Sequence, residues 1–359
     1  MNYQHLAHYY KNKRIFITGH TGFKGSWLLY WLHLLGAEVK GYSLAPENEF
    51  DLFHSIKGDE LCDSVIADVR DRDRIIEEVR AFEPDFIFHL AAQPLVRLSY
   101  DIPAETFAVN AIGTAHLLDA ARLLKKSCKV ILITTDKVYE NKEWHYPYRE
   151  NDRLGGYDPY SASKACAEMV ISSYRNSFFN PSDHDKHQKA VASARAGNVI
   201  GGGDWAKDRI IPDIIRALSS GNPVSVRNPN AIRPWQHVLE PLGGYLHLGT
   251  KMIDDPVTFS DSWNFGPLPE DNLTVESLVK IALQVWGGGN YEKPDLPGQP
   301  HEAGLLKLDI SKTVNVLDWK PRYDAATAIT KTLSWYSEYE SNRSMESYTK
   351  SQIMEFMYA

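Results

Sequence analysis

The sequence predicts an α/β fold: a Rossmann-type, doubly wound parallel sheet with a smaller mixed α/β substrate-binding lobe. Three observations carry this. Short β-rich runs alternate with helical stretches through the first half of the chain, the pattern of βαβ units. Most of those runs are continuously apolar, as strands covered on both faces are. A glycine-rich turn follows the first run and opens a helix, where such sheets bind phosphate groups.

Taken in order, Ile15 to Thr18 is the first strand, Ser26 to Leu35 a helix ending near Gly36, and Glu38 to Tyr42 the second strand. Ser64 to Ala67 is the third, followed by a charged helix from Asp71 to Phe82. Phe86 to Leu90 is the fourth strand. Pro103 to Lys126 reads as one long helix, with Leu117, Leu118, Ala121 and Leu124 at helical spacing. Val130 to Thr134 is the fifth strand and Tyr160 to Phe179 a further helix. Asn180 to Lys189 is polar and reads as a loop. Ala190 to Val199 is the sixth strand, and beyond it the rhythm loosens into short elements rich in Pro, Gly and Trp. The expected division is residues 1–190 as the cofactor domain, with roughly 235–265 returning to it. Residues 191–234 and 266–359 then form the substrate lobe.

The chain has 359 residues, 43% hydrophobic and 24% charged, which is ordinary for a globular protein and excludes disorder or a disulfide scaffold. A net charge of −7 argues against nucleic acid as partner. Cys62, Cys128 and Cys166 are widely spaced, as free thiols in a reducing cytoplasm are. The most apolar early run, Trp27 to Leu35, is too short to cross a bilayer. The expectation is a cytoplasmic protein with no membrane partner. His184 and His187 sit in a polar run and lack the further ligands a metal site needs, so no metal is expected.

Gly19-His20-Thr21-Gly22-Phe23-Lys24-Gly25 has the spacing for a tight turn, close approach of backbone to a pyrophosphate, and close packing of helix on strand. The second strand ends Gly41-Tyr42-Ser43-Leu44, without the acid expected for NAD or an arginine suited to NADP, so these residues do not choose between the two cofactors. Asp68, after the third strand, is a candidate for the adenine side or a plain loop acid. Tyr160 and Lys164 lie one helical turn apart on one face. A lysine ammonium there is expected to lower the phenol from about 10 towards working pH, so that it can take a hydroxyl proton as hydride leaves the carbon. Thr134-Thr135-Asp136-Lys137 ends the fifth strand, where ligands sit in open parallel sheets.

With these motifs in place, the runs GHTGFKGSWL (19–28), LAAQPLVRLSY (90–100), TTDKVYENKEW (134–144) and YSASKACAE (160–168) resemble the extended short-chain dehydrogenase/reductase family. Within it they resemble the nucleotide-sugar 4,6-dehydratases, in the branch that acts on CDP-glucose. The resemblance covers nearly the whole chain. It implies NAD as cofactor, held by Gly19, Thr21, Gly22, Phe23, Lys24, Gly25, Asp68, Val69, Leu90, Ala91, Ala92, Thr134, Tyr160 and Lys164. It also implies catalysis by Thr135, Asp136, Lys137, Tyr160 and Lys164. Tyr160 would take the C4 hydroxyl proton and Asp136 would protonate the departing C6 hydroxyl. Lys137, where the dTDP-glucose branch has Glu, would be the base at C5. That role asks for a neutral lysine, depressed by burial or by a cation such as Lys164.

The resemblance assigns the nucleotide sugar to Gln93, Asn198, Arg209, Arg233 and His301; arginine's fork suits diphosphate oxygens. It further implies a homodimer or homotetramer built on helices 103–126 and 160–179, and a bacterial route to 3,6-dideoxyhexoses. The rival readings are a nucleotide-sugar 4-epimerase or a dTDP- or GDP-sugar dehydratase on the same scaffold, and a non-catalytic NAD-binding protein. Asp136-Lys137 separates dehydration from epimerisation.

Overall fold

In this computed structural model the described residues are 3–271, 273–294 and 305–358. Seven parallel strands form the sheet: β1 (Arg14–Thr18), β2 (Glu38–Ser43), β3 (Asp63–Ile66), β4 (Phe86–His89), β5 (Cys128–Thr134), β6 (Lys189–Ala196) and β7 (Ser262–Phe265). Their order across the sheet is β7-β6-β5-β4-β1-β2-β3. The direction of winding reverses between β1 and β4, so a crevice opens beyond their carboxyl ends. Strands β1, β4 and β6 are buried almost throughout; the middles of β1 and β4 accordingly read as apolar runs, whereas β6 also buries Lys189, Ser193 and Arg195.

Helix α1 (Phe23–Leu34) leaves the glycine turn, and its Trp27 to Leu32 are all buried. Helices α2 (Arg72–Phe82), α3 (Gly113–Arg122) and α4 (Pro159–Ser177) belong to the other face, where Leu117, Leu118 and Ile171 join a cluster with Phe16 and Val130. Helix α5 (Leu239–Asp254) is buried along nearly its whole length. Beyond β6, pairs of two-residue strands join Val199–Ile200 to Gln236–His237, Ile232–Arg233 to Leu273–Thr274, and Val224–Ser225 to Tyr291–Glu292. The last helix, Met345–Tyr358, returns to the chain's start, where Phe356 stacks on Tyr3 with ring centres 5.2 Å apart.

Three elements differ from expectation. The long helix over 103–126 is a series: Pro103–Phe107, a π-turn at Ala108–Ile112, and α3, with a separate short helix, Val96–Asp101, before it. Pro103 restricts Ile102 and starts a new helix. The π-turn carries Asn110, whose side-chain amide donates to Gln93 O (3.1 Å) and Ser163 Oγ (2.8 Å); such turns often mark functional sites. The loop at 180–189 contains short helical turns at Pro181–Asp183 and His184–His187, with β6 beginning at Lys189. The sixth strand stops at Ala196, and Asn198 adopts a left-handed φ of 51° that turns the chain across the sheet edge. Gly287 caps the helix Val275–Trp286 with φ 91°. Among the described residues no helix is long and apolar enough to cross a membrane, and no cluster of side chains fits a metal ion.

Glu240, in the first turn of α5, is fully buried and accepts from the backbone N–H groups of Arg322 (3.0 Å) and Tyr323 (2.7 Å). Burial pushes its carboxyl up to about 7. The folded chain therefore keeps a proton that the unfolded chain, titrating near 4.3, gives up. That stabilisation is complete below the unfolded value and is lost as pH rises through about 7. Denaturant titrations should show wild-type stability falling relative to Glu240→Gln between about pH 4.5 and 7.5. Identical pH slopes would refute the assignment.

Candidate active site

The glycine turn is shaped for close approach. Gly19 has φ 77°, and a Cβ there would lie 2.7 Å from Ala91 N. A Cβ on Gly25 would lie 1.9 Å from Gly19 O, so the helix can meet the turn only at glycine. Helix α1 begins after Gly22 with no side chain capping it and no acid in its first turn. Its N-terminal N–H groups and dipole suit an anion. Thr21 Oγ1 bonds Ser43 Oγ and Leu44 O, both at 2.9 Å, which ties the turn to the end of β2. This cradle fits a dinucleotide pyrophosphate. Asp68 is held by Arg70 through a contact of 2.6 Å, and its neighbour Val69 packs on Gly113.

Beyond the sheet edge lies a cavity of about 1020 Å³. Its walls bring together Phe23, Lys24, Leu90, Ala92, Thr134, Thr135, Asp136, Lys137, Tyr160, Lys164, Asn198, Arg209 and Arg233, all singled out in the sequence. Local structure explains how. β5 ends at Thr134, and Thr135 caps a single 3-10 turn, Asp136–Val138, so Asp136 is folded inwards at 1% exposure. Its Oδ1 accepts from Thr135 Oγ1 at 2.9 Å, and its Oδ2 from Asn198 Nδ2 at 3.4 Å. Asp158 caps α4 by accepting from Ser161 N, with Pro159 in the first turn. The next residues of that helix, Tyr160 and Lys164, are both buried. Arg209 pairs with Asp204 at 2.8 Å, which keeps its guanidinium at the cavity wall; Arg233 donates to Ile232 O at 3.1 Å.

Electrostatics correct two expectations. Burial pushes the Tyr160 phenol up to about 12; the Thr135 hydroxyl and Arg209 pull it down, and Asp136 adds to the rise. The lysine one turn on is thus not what tunes it. Lys164 Nζ donates instead to Ile133 O at 3.3 Å. Burial brings Lys164 down to about 8, against an upward pull from Glu168. Lys137 was expected to be buried or beside a cation. Its side chain is 34% exposed, and its ammonium stands 3.9 Å from Asp136 Oδ1. Lys24 is the more perturbed amine: burial first, then Lys164 and Arg209, bring it down to about 7. It donates to Tyr245 Oη at 3.3 Å.

Gln93 does not face the cavity. Its side-chain amide donates to Thr106 Oγ1 (2.9 Å) and Leu95 O (3.1 Å), which consumes it in the turn leading to the π-turn segment. His301 lies outside the described residues. Two features went unnoticed in the sequence. A Cβ on Gly197 would fall 2.0 Å from Asp136 Cγ, so that glycine is the seat of the carboxylate. Beneath the site Glu168 accepts from Thr134 Oγ1 (2.5 Å), Ser193 Oγ (2.9 Å) and Arg195 Nη2 (2.8 Å). The placement of Glu168 one turn beyond Lys164 was a signal that periodicity could have offered.

A Tyr–Lys helix face and a Thr-Asp-Lys turn beside a glycine-loop sheet define a short-chain dehydrogenase/reductase of the extended kind. Within that class the chain belongs to the GDP-mannose 4,6 dehydratase family, matched over residues 16–258. It is 47% identical over 351 residues to CDP-glucose 4,6-dehydratase of Salmonella typhimurium, covering 98% of each chain. It is 28% identical to dTDP-glucose 4,6-dehydratase of Streptomyces antibioticus, over 90% of this chain and 92% of that one. Among solved structures it resembles DesIV, a dTDP-glucose 4,6-dehydratase of Streptomyces venezuelae solved with NAD. The TM-score is 0.75 at 24% identity, over 92% of this chain and 98% of that one.

Gly197→Ala is expected to push Asp136 from its seat. A displacement near 1 Å costs roughly 10²-fold in rate, so turnover of the nucleotide sugar should fall by about that factor while cofactor affinity, read by fluorescence quenching, holds. Turnover within about twofold of wild type would show that the seat is not needed.

Proposed function

We propose that this protein converts CDP-D-glucose to CDP-4-dehydro-6-deoxy-D-glucose and water, with NAD recycled within each turnover. The observation that carries the reading is the placement of Asp136 and Lys137 in one cavity with Tyr160 and Lys164. An oxidoreductase or epimerase needs the second pair but has no use for a further acid and base. The relative at 47% identity, with 98% of both chains covered, supports CDP as the nucleotide.

When bound, NAD supplies a hydride acceptor at C4 that becomes a hydride donor at C6. The protein's part is proton handling and placement. Tyr160 takes the C4 hydroxyl proton, and Lys164 orients the cofactor ribose. The resulting ketone acidifies the C5 proton, which Lys137 removes. Asp136 protonates the C6 hydroxyl as water leaves. Asn198, Arg209 and Arg233 hold the nucleotide sugar. On this reading 1–190 and 235–265 serve the cofactor, and 191–234 with 266–359 the sugar. A sugar filling the cavity would cover the exposed third of Lys137 and add the burial that a neutral amine needs.

The same reading makes the protein a cytoplasmic homodimer or homotetramer. Leu98, Ile112 and Met169, exposed on the helices around α3 and α4, supply an apolar face; a monomer in sedimentation would refute the assembly.

Incubation with CDP-glucose and NAD should yield a 4-keto-6-deoxy sugar, seen as new absorbance in alkali; a galactose isomer or no product would refute dehydration. Lys137→Met should abolish solvent deuterium incorporation at C5 while slow C4 oxidation persists. Unchanged incorporation would remove Lys137 from the role of base.

A further inference from the structure

The proposed reaction leaves a proton account to balance. Tyr160 gains a proton from the C4 hydroxyl, and Asp136 loses one to the C6 oxygen. Each turnover therefore ends with a phenol and a carboxylate, whereas the chemistry begins from a phenolate and a carboxylic acid. Bulk water has poor access to either group: Tyr160 is 8% exposed and Asp136 1%. Burial, moreover, holds the phenol protonated, near 12.

One side chain lies beside both. The Thr135 hydroxyl is near enough to the Tyr160 phenol to draw it down, shares the cavity wall with it, and donates to Asp136 Oδ1 at 2.9 Å. A hydroxyl gives one proton and accepts another, so it can serve both bonds at once. Asn198 Nδ2 fixes the other carboxylate oxygen at 3.4 Å, leaving Oδ1 turned to Thr135.

We propose that Thr135 relays a proton from Tyr160 to Asp136, so that the base of C4 oxidation and the acid of water loss share one proton. The phenol O–H passes its proton to Thr135 Oγ1 as the threonine's own proton passes to Asp136 Oδ1. The phenolate then takes the C4 hydroxyl proton while the C4 hydride leaves to NAD. Asp136 hands its proton to the C6 oxygen, the C6–O bond breaks, and water departs. Tyr160 is again a phenol and Asp136 a carboxylate. The C4 hydroxyl proton is thus accounted for in the departing water, and C5 is reprotonated by its own base after exchange with solvent.

The inference rests on the dehydratase reading, and it makes a demand that reading does not. Asp136 must assist C4 oxidation even when there is no C6 hydroxyl to expel. The test uses CDP-6-deoxyglucose with NAD and follows NADH absorbance. Asp136→Asn and Thr135→Val are each expected to slow its oxidation at least about tenfold, and the double variant to be no slower than either single one, because both break one chain. Thr135→Ser, which keeps the hydroxyl, should restore the rate.

A second readout is independent of rate. After oxidation of this substrate the relayed proton stays on Asp136, so infrared difference spectra should show a protonated-carboxyl band. It should be absent in Asp136→Asn and in Thr135→Val. Oxidation at the wild-type rate in Asp136→Asn would overturn the relay. So would a band that persists in Thr135→Val, since the proton would then reach Asp136 from the small cavity of about 110 Å³ that it shares with His145 and Lys307. Failure of wild type to dehydrate CDP-glucose would instead overturn the function itself.

Discussion

The site is held together by a buried ion pair beneath it. Glu168 on α4 and Arg195 on β6 are 2% and 3% exposed and meet at 2.8 Å. A buried charge is tolerated only when paired and fully hydrogen-bonded, and this pair meets the condition by gripping its surroundings. Glu168 takes Thr134 at the end of β5 and Ser193 on β6. Arg195 reaches the Tyr139 hydroxyl (2.8 Å) and Glu150 O (3.0 Å), and Tyr139 donates to Asn264 Oδ1 on β7 (2.7 Å). Three adjacent strands and the helix carrying Tyr160 and Lys164 are thereby fixed to one another. Thr135 and Asp136 follow directly from the clamped strand end. Removing one partner alone would strand the other charge, at a cost of about 3–5 kcal/mol.

Burial also sets the protonation states. With the phenol near 12 and Lys164 near 8, the resting pair around neutral pH is phenol and ammonium. An ammonium at that position can accept no proton from the phenol. The proton must go to a group with room for it, and on the proposed reading that group is Asp136, bonded to the Thr135 hydroxyl. Hydrogen bonds of this kind gain strength in a low-dielectric interior, and the burial that raises the phenol also shortens the list of possible acceptors.

How much of this was legible in the sequence follows from what each signal encodes. The parallel sheet was legible because doubly covered strands are apolar over most of their length, as in Phe86 to Phe88. The glycine turn was legible because only glycine fits where Cβ atoms would collide with backbone. The break at Ala108–Ile112 was not, since its apolar spacing fits a helix and the π-turn arises from Asn110 bonding Gln93 and Ser163, contacts distant in sequence. The orientation of Gln93 was hidden for the same reason. So was the end of β6, because Gly197 matters through Asp136, 61 residues earlier.

Lys137 shows the limit of reading charge from neighbours along the chain. Its nearest ionic contact is the carboxylate of Asp136, the residue just before it, at 3.9 Å. On the proposed reading that carboxyl group must act as an acid and that amine as a base. Protonation of Asp136 through Thr135 before water loss, as proposed, would end that ion pair. One proton moved across a single hydroxyl would then ready the phenolate at C4 and the acid at C6 together. On the proposed reading, dehydration requires the Thr-Asp-Lys turn to act as a unit with the tyrosine on α4.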